Sequence, residues 1–207
     1  PHTCFEATQR MGLDVTLATV LSFCLFENDH SARGRQHFWR RAITSAVAAS
    51  YLAQQLCPHQ AGSVFTAALL QDIGILALQT AYPNDAERLY GTEQASHGHT
   101  QQVEKRYFGC DHALIGAWLL AKWGAHDDLI RAIQRSHEGL ETDNPSVLCL
   151  RVSGALAAAW LSADPAQALA GVTRPLRPFA PADYWALAGP LALAGLAPPA
   201  LAGSPGL

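Results

Sequence analysis

From Thr3 to about Ala163, apolar residues recur at spacings of three and four, and no run alternates apolar with polar. A period near 3.6 lets a helix turn one face to a core, whereas a half-buried strand needs a period of two. The chain is therefore expected to be all-α. "CFEATQRMGLDVTLATVLSFCLF" reads as two helices broken at Gly12, with Asp14 as N-cap. "RQHFWRRAITSAVAASYLAQQLC" reads as one long helix whose inward stripe is Phe38, Ala42, Ser45, Ala49, Leu52 and Leu56. "AGSVFTAALLQDIGILALQTAY" reads as a single helix stopped by Pro83, and residues 84–100 as a polar connection with one helical turn. "DHALIGAWLLAKWG" starts at the N-cap Asp111 and stops at Gly124. "HDDLIRAIQRSHEG" is a short helix closed by Gly139, and Pro145 opens the last one, "PSVLCLRVSGALAAAWLS".

One residue breaks the pattern. In "FTAALLQDIGIL", Phe65, Leu69, Ile73 and Leu76 form an apolar stripe, and Asp72 lies on the same face. An unpaired carboxylate buried there costs several kcal/mol or more, roughly the whole margin of a small domain. Whatever the chain does, its fold must bring Asp72 a partner.

The composition narrows the partners. At 49% hydrophobic, 15% charged and a formal net charge of −3, the chain is globular and not basic, so binding to nucleic acid is not expected. Its five cysteines, Cys4, Cys24, Cys57, Cys110 and Cys149, are odd in number and show no C-x-x-C spacing. They read as reduced core residues of a cytoplasmic protein. No uninterrupted apolar run reaches the roughly 20 residues that span a bilayer, so no membrane role is expected. Beyond Arg174 the character changes: seven of the twelve prolines fall in residues 174–207, which read as an irregular Pro/Gly/Ala-rich linker or packing tail.

Four stretches belong together: "FWRRAITSA", "LLQDIG", "EKRYFGCDHALIGAWLLAKWG" and "IQRSHE". In order and spacing this set resembles the HD superfamily, and within it the HDOD branch, over about residues 3–163. The resemblance implies an HD-type helical bundle. HDOD domains usually begin with a further helical lobe, and the resemblance puts the start of this chain after it, so we expect a piece of a longer protein.

In catalytic HD proteins a histidine, a His-Asp pair and a later aspartate hold a divalent metal that activates water against a phosphate ester. Carried over residue by residue, the first histidine becomes Arg41 and the His-Asp pair becomes Gln71-Asp72. The later aspartate falls on Ser153 or Gly154. With three of four ligands missing, neither a metal nor another cofactor is expected, because a lone carboxylate holds no ion in water.

Arg41 instead offers Asp72 its partner. The helical wheel puts it on the flank of the inward stripe, with Arg40 pointing away, and a guanidinium fork matches a carboxylate. Two readings stand for His112 and His137. They line a remnant pocket with Arg41, Gln71 and Asp72 that takes a small anionic or nucleotide ligand. Or they are structural, His112 beside its N-cap and His137 in the last turn of a helix, where the dipole favours a cation. His97 and His99 read as surface residues of a polar loop.

HDOD domains are generally regarded as non-catalytic. The resemblance therefore implies a regulatory module of a multidomain bacterial signalling protein, binding a partner domain or ligand. An adjacent GGDEF-type output domain would place it in cyclic-di-GMP signalling. The rival is a residual metal-dependent phosphohydrolase built on Asp72, His112 and His137.

Overall fold

A computed structural model describes residues 32–90, 97–138 and 142–162, with Thr16 and Ala168 singly. The two expected helices before Ser31, Cys4, Cys24, Gly139 and the 174–207 extension lie outside the described residues. Among the described residues there are eight α-helices and no strand. They are α1 (Ala32–Leu56), α2 (Ala61–Leu70), α3 (Ile73–Ala81), α4 (Pro83–Tyr90), α5 (His97–Phe108), α6 (His112–Lys122), α7 (Asp127–Gln134) and α8 (Pro145–Trp160). A short 3-10 turn, Pro58–Gln60, joins α1 to α2.

Two layers meet at α2 and α3. On one side α1 packs against α2 and α8, and on the other α6 packs against α3 and α7, while α7 also reaches α2. The expected stripe of α1 is the one that faces inward: Phe38, Ala42, Ser45, Ala49 and Leu52 are all buried. Alanines at 42, 46, 49 and 53 keep that face thin, so α8 can bring Leu150, Val152 and Leu156 close to it. The segment Pro58–Ala81 is long and apolar enough by composition to cross a membrane, but two-thirds of its apolar window is buried within the bundle.

Three boundaries differ from the sequence reading. The helix expected over 61–82 is two helices, interrupted by a turn at Gln71 and Asp72. Apolar periodicity is blind to this break because Leu70 and Ile73 stay buried on either side of it. The connection expected at 84–100 contains α4 beyond its first residue and the first turn of α5, and Pro83 starts a helix as well as ending one. His97 and His99 thus lie at the beginning of α5. Finally, α7 ends at Gln134, and His137 stands in the turn beyond it instead of the last helical turn. There the Ser136 hydroxyl donates to the Ile133 carbonyl at 2.7 Å, competing with continuation of the helix.

The stops around α6 are sharp. Gly109 (φ 77°) and Gly124 (φ 75°) take the left-handed conformation that ends α5 and α6. Asp111 caps α6 by accepting from the Leu114 N–H at 3.0 Å, and its second oxygen meets Lys105 Nζ at 2.9 Å. Burial alone would raise the Asp111 pKa, but these two bonds together lower it. Next to this cap, α3 and α6 touch through backbone: a Cβ on Gly74 would lie 1.9 Å from the His112 carbonyl oxygen. Only a residue without a side chain permits that approach. Gly74→Ala is expected to force the helices apart and cost about 1–3 kcal/mol, read as a lower urea midpoint. Gly62→Ala, in open space on α2, is expected to hold or slightly raise that midpoint, by at most about 1 kcal/mol.

Candidate functional site

The break between α2 and α3 puts two consecutive polar side chains into the interior. Gln71 and Asp72 are both buried, and they turn to different neighbours. The Gln71 amide donates to Ser45 Oγ of α1. Ser45 in turn bonds Ser153 Oγ of α8 at 3.1 Å, and Ser153 donates to the Leu150 carbonyl at 2.8 Å. Read from Gln71 outward, every hydroxyl in this chain both accepts and donates. Gly154 lets the Gln71 side chain lie flat against α8, 3.3 Å from where a Cβ would be. Of the two sequence candidates for the superfamily's later aspartate, Ser153 is therefore the one that bonds toward the site.

Asp72 stands at the start of α3 but does not cap it; its side chain makes no hydrogen bond to the helix N–H groups. Arg41 Nε instead donates to Asp72 Oδ2 at 2.7 Å, with side-chain exposures of 9% and 2%. The sequence question is thus answered by geometry: the cation of α1 meets the carboxylate of the α2–α3 break, and neighbouring Arg40 is exposed. Two buried polar atoms beside them, Arg41 Nη2 and Gln71 Oε1, have no hydrogen-bond partner among the described residues.

The second Asp72 oxygen faces two imidazoles. His137 Nε2 lies 3.2 Å and His112 Nε2 3.6 Å from Oδ1, and the two ring nitrogens are 2.9 Å apart. His112 is the better anchored. Its Nδ1 lies 2.7 Å from Glu104 Oε2, which also accepts from the His112 backbone N–H at 2.9 Å. The other Glu104 oxygen accepts from the Tyr90 hydroxyl. His137 is held less directly, through its turn. Arg151 of α8, buried itself, donates to the Arg135 carbonyl at 3.1 Å and to Glu138 at 2.9 Å.

These contacts set the charges. Burial works against a charged His112 ring, but the neighbouring Asp72 and Glu104 carboxylates outweigh that and raise its pKa to about 9. For His137, burial and the positive charges of His112 and Arg41 prevail over Asp72 and lower the pKa. Burial and the adjacent Glu104 carboxylate raise that of Tyr90. Arg41 and His112 thus stand buried against the Asp72 and Glu104 carboxylates. Such a group is tolerable in low dielectric only as a complete set.

Glu104 and Tyr90 were not singled out from the sequence, although "EKRYFGCDH" contains the former. A signal was present: Thr100 and Glu104 are buried on α5 with Phe108 half-buried one turn further, an i, i+4, i+8 stripe. Its middle member is a carboxylate, as Asp72 is on its own stripe. Ser45 was visible as a stripe residue but not as a partner of Gln71.

A bundle whose central helices carry Gln71-Asp72 beside α1, with His112 and His137 closing over them, has the architecture of the HD-type helical proteins. The HDOD domain family model matches residues 2–139, two-thirds of the chain, and the chain belongs to the HDOD family. Among solved structures, one named "Putative phosphohydrolase", from Shewanella amazonensis SB2B, superposes with a TM-score of 0.71 at 18% identity. That alignment covers 95% of this chain and 75% of the other. The MmoQ response regulator from Methylococcus capsulatus str. Bath superposes with a TM-score of 0.57 at 23% identity, covering 95% and 73%. At these identities the two structures share the fold. No curated protein matches the chain in sequence.

The superfamily's ligand set does not fit a metal here. Arg41 brings a fixed positive charge to within 2.7 Å of the one carboxylate left in that set. Gln71 and Ser153, the counterparts of a histidine and an aspartate, are hydrogen-bonded through Ser45 and carry no charge. Asp72 is alone only within that ligand set, because the two histidines read either as pocket or as structural residues stand beside it. Sequence spacing cannot show that His112 and His137, 40 and 65 residues further on, converge on its other oxygen.

Proposed function

We propose that this HDOD domain is a non-catalytic regulatory module of a larger cytoplasmic bacterial signalling protein, acting through a partner domain. The observation that carries this reading is the Arg41–Asp72 pair, a protein cation on the surviving carboxylate of the ligand set. Burial supports it further. Asp72, His112 and the Arg41 side chain are all nine-tenths or more covered, so a phosphoester would need the bundle to open before reaching them. The same burial favours a protein partner over a nucleotide-sized ligand in the remnant pocket. Of the two structural neighbours, the one named a response regulator points the same way.

The rival phosphohydrolase draws on the convergence of Asp72, His112 and His137 and on the name of the other neighbour. Turnover separates the two. With bis(p-nitrophenyl) phosphate or cyclic dinucleotides and added manganese, iron or zinc, we expect no hydrolysis that depends on Asp72. Hydrolysis that is lost in Asp72→Asn would establish the enzyme and remove the regulatory reading.

A further inference from the structure

We propose that Cys57 and Cys149 are a modification site, a thiol pair that hydrogen peroxide converts to a reversible disulfide joining the end of α1 to the start of α8. The inference goes beyond the regulatory reading and does not depend on it, because it involves neither Asp72 nor its partners. No spacing motif relates the two cysteines; packing brings them together. Cys57 closes α1: its N–H donates to the Ala53 carbonyl at 2.7 Å, and its own carbonyl accepts from the Gln60 N–H at 2.8 Å. Pro58 follows, so the chain turns at this residue. There α8 reaches it. The Ser146 hydroxyl, 89 residues further on, has two acceptors within reach, Cys57 Sγ at 3.6 Å and Gln60 Oε1. Cys149 stands one turn beyond Ser146 on the same side of α8. It is buried in the core against which Cys57 packs, and the two thiols are hydrogen-bonded to each other.

The two thiols are unequal, as an attacking and a resolving group must be. Cys57 is half-buried and open to a small oxidant, whereas Cys149 is only 1% exposed. Burial first, and then the charge and hydrogen bond of Cys57, push the Cys149 thiol up to about 12. Since the thiolate is the nucleophile, Cys57 reacts first and Cys149 waits as the thiol. The Cys57 sulfur takes one oxygen of the peroxide, the O–O bond breaks, and the hydroxide released leaves with the Cys57 proton as water. The sulfenic acid left at Cys57 is neutral, so its charge no longer opposes ionisation of Cys149. The Cys149 sulfur then attacks the Cys57 sulfur: the S–S bond forms, the S–O bond breaks, and the hydroxide takes the Cys149 proton as a second water. Two electrons pass from the sulfur pair to the peroxide oxygens. In a reducing compartment such a bond is transient and reports oxidant. It closes a loop of roughly 90 residues, which restrains the unfolded chain strongly. It also ties the helix of Arg41 and Ser45 to the helix of Arg151 and Ser153. Cys110 is the contrast, its thiol turned to the Phe108 carbonyl at 3.7 Å and its pKa raised by burial, Asp111 and Glu104.

The test uses the whole unaltered chain, reduced, folded and treated with a small excess of hydrogen peroxide, then alkylated, digested and mapped by mass spectrometry. One peptide pair linked through Cys57 and Cys149 is expected, from chains that remain uncrosslinked to one another. The oxidised chain should melt several degrees higher, and dithiothreitol should restore both thiols and the original midpoint. Cys149→Ala removes the resolving thiol, so Cys57 should accumulate as the sulfenic acid and be trapped by dimedone. Cys57→Ser should leave Cys149 unreacted, and Cys110→Ser should leave the link unchanged. The mapping needs no variant to fold, so it decides the proposal by itself. Cys149 still free after Cys57 has reacted, or Cys57 linked to a different cysteine or another chain, would overturn it. So would a link that forms only in urea or lowers the midpoint, because the native packing would then hold the sulfurs apart. None of these results bears on phosphoester turnover, so this inference and the regulatory reading fail separately.

Discussion

Arg41→Ala is expected to destabilise the chain by about 3–5 kcal/mol, because it leaves the Asp72 carboxylate buried without its nearest cation. For a chain of this size, 1 kcal/mol moves the melting midpoint by roughly 2–4 °C, so a fall on the order of 10 °C should appear by circular dichroism. Arg40→Ala, one residue away and exposed, should stay within about 0.5 kcal/mol of the parent. Loss of packing alone would also lower stability, since the Arg41 stem is buried with its head. A charge cycle separates the two causes. Arg41→Met keeps an apolar side chain of similar length, and Asp72→Asn then removes the stranded charge while keeping the carbonyl acceptor. If unpaired charge is the cause, the double variant should recover part of what Arg41→Met loses. If Arg41→Met and the double variant are equally unstable, packing is responsible and the ion pair contributes little.

How much of this site could be read from the chain depended on sequence distance. The inward stripe of α1 and the N-cap Asp111 follow from local rules: a periodicity of 3.6, or a side chain reaching an N–H three residues on. Asp72 could be recognised as anomalous because its neighbours on one helix face are apolar. Its pairing with Arg41 is a contact across 31 residues, and the wheel of α1 placed the guanidinium on the correct side without giving its reach. The break at Gln71–Asp72 left no trace, because residues on both sides of it face the same core. The approach of His112 and His137 to Asp72 Oδ1 entered only as one of two readings of the family resemblance, and no local pattern carried it. It requires α6 to lie directly on Gly74 and the turn after α7 to be tied down by Arg151, and both are tertiary facts. Local chemistry thus located the unusual residues one by one, and packing determined which of them meet.

Glu104→Ala is the second large effect, expected at about 3–5 kcal/mol by the same physical route with the opposite sign of charge. The Glu104 carboxylate is fully buried and accepts three bonds: from the His112 backbone N–H at 2.9 Å, from His112 Nδ1 at 2.7 Å and from the Tyr90 hydroxyl. Removing it leaves the two His112 donors buried and unpaired, each at a cost of about 1–3 kcal/mol where water cannot reach it. It also withdraws a carboxylate that favours the charged His112 ring. Glu104→Gln should recover much of the loss, since its carbonyl oxygen can still accept from His112. Tyr90→Phe removes one donor together with its need for an acceptor and should cost about 0.5–1.5 kcal/mol. Urea denaturation of the three variants gives the order directly. Should Glu104→Ala cost no more than Tyr90→Phe, Glu104 would be a peripheral residue that happens to be covered, not the anchor holding His112 over Asp72.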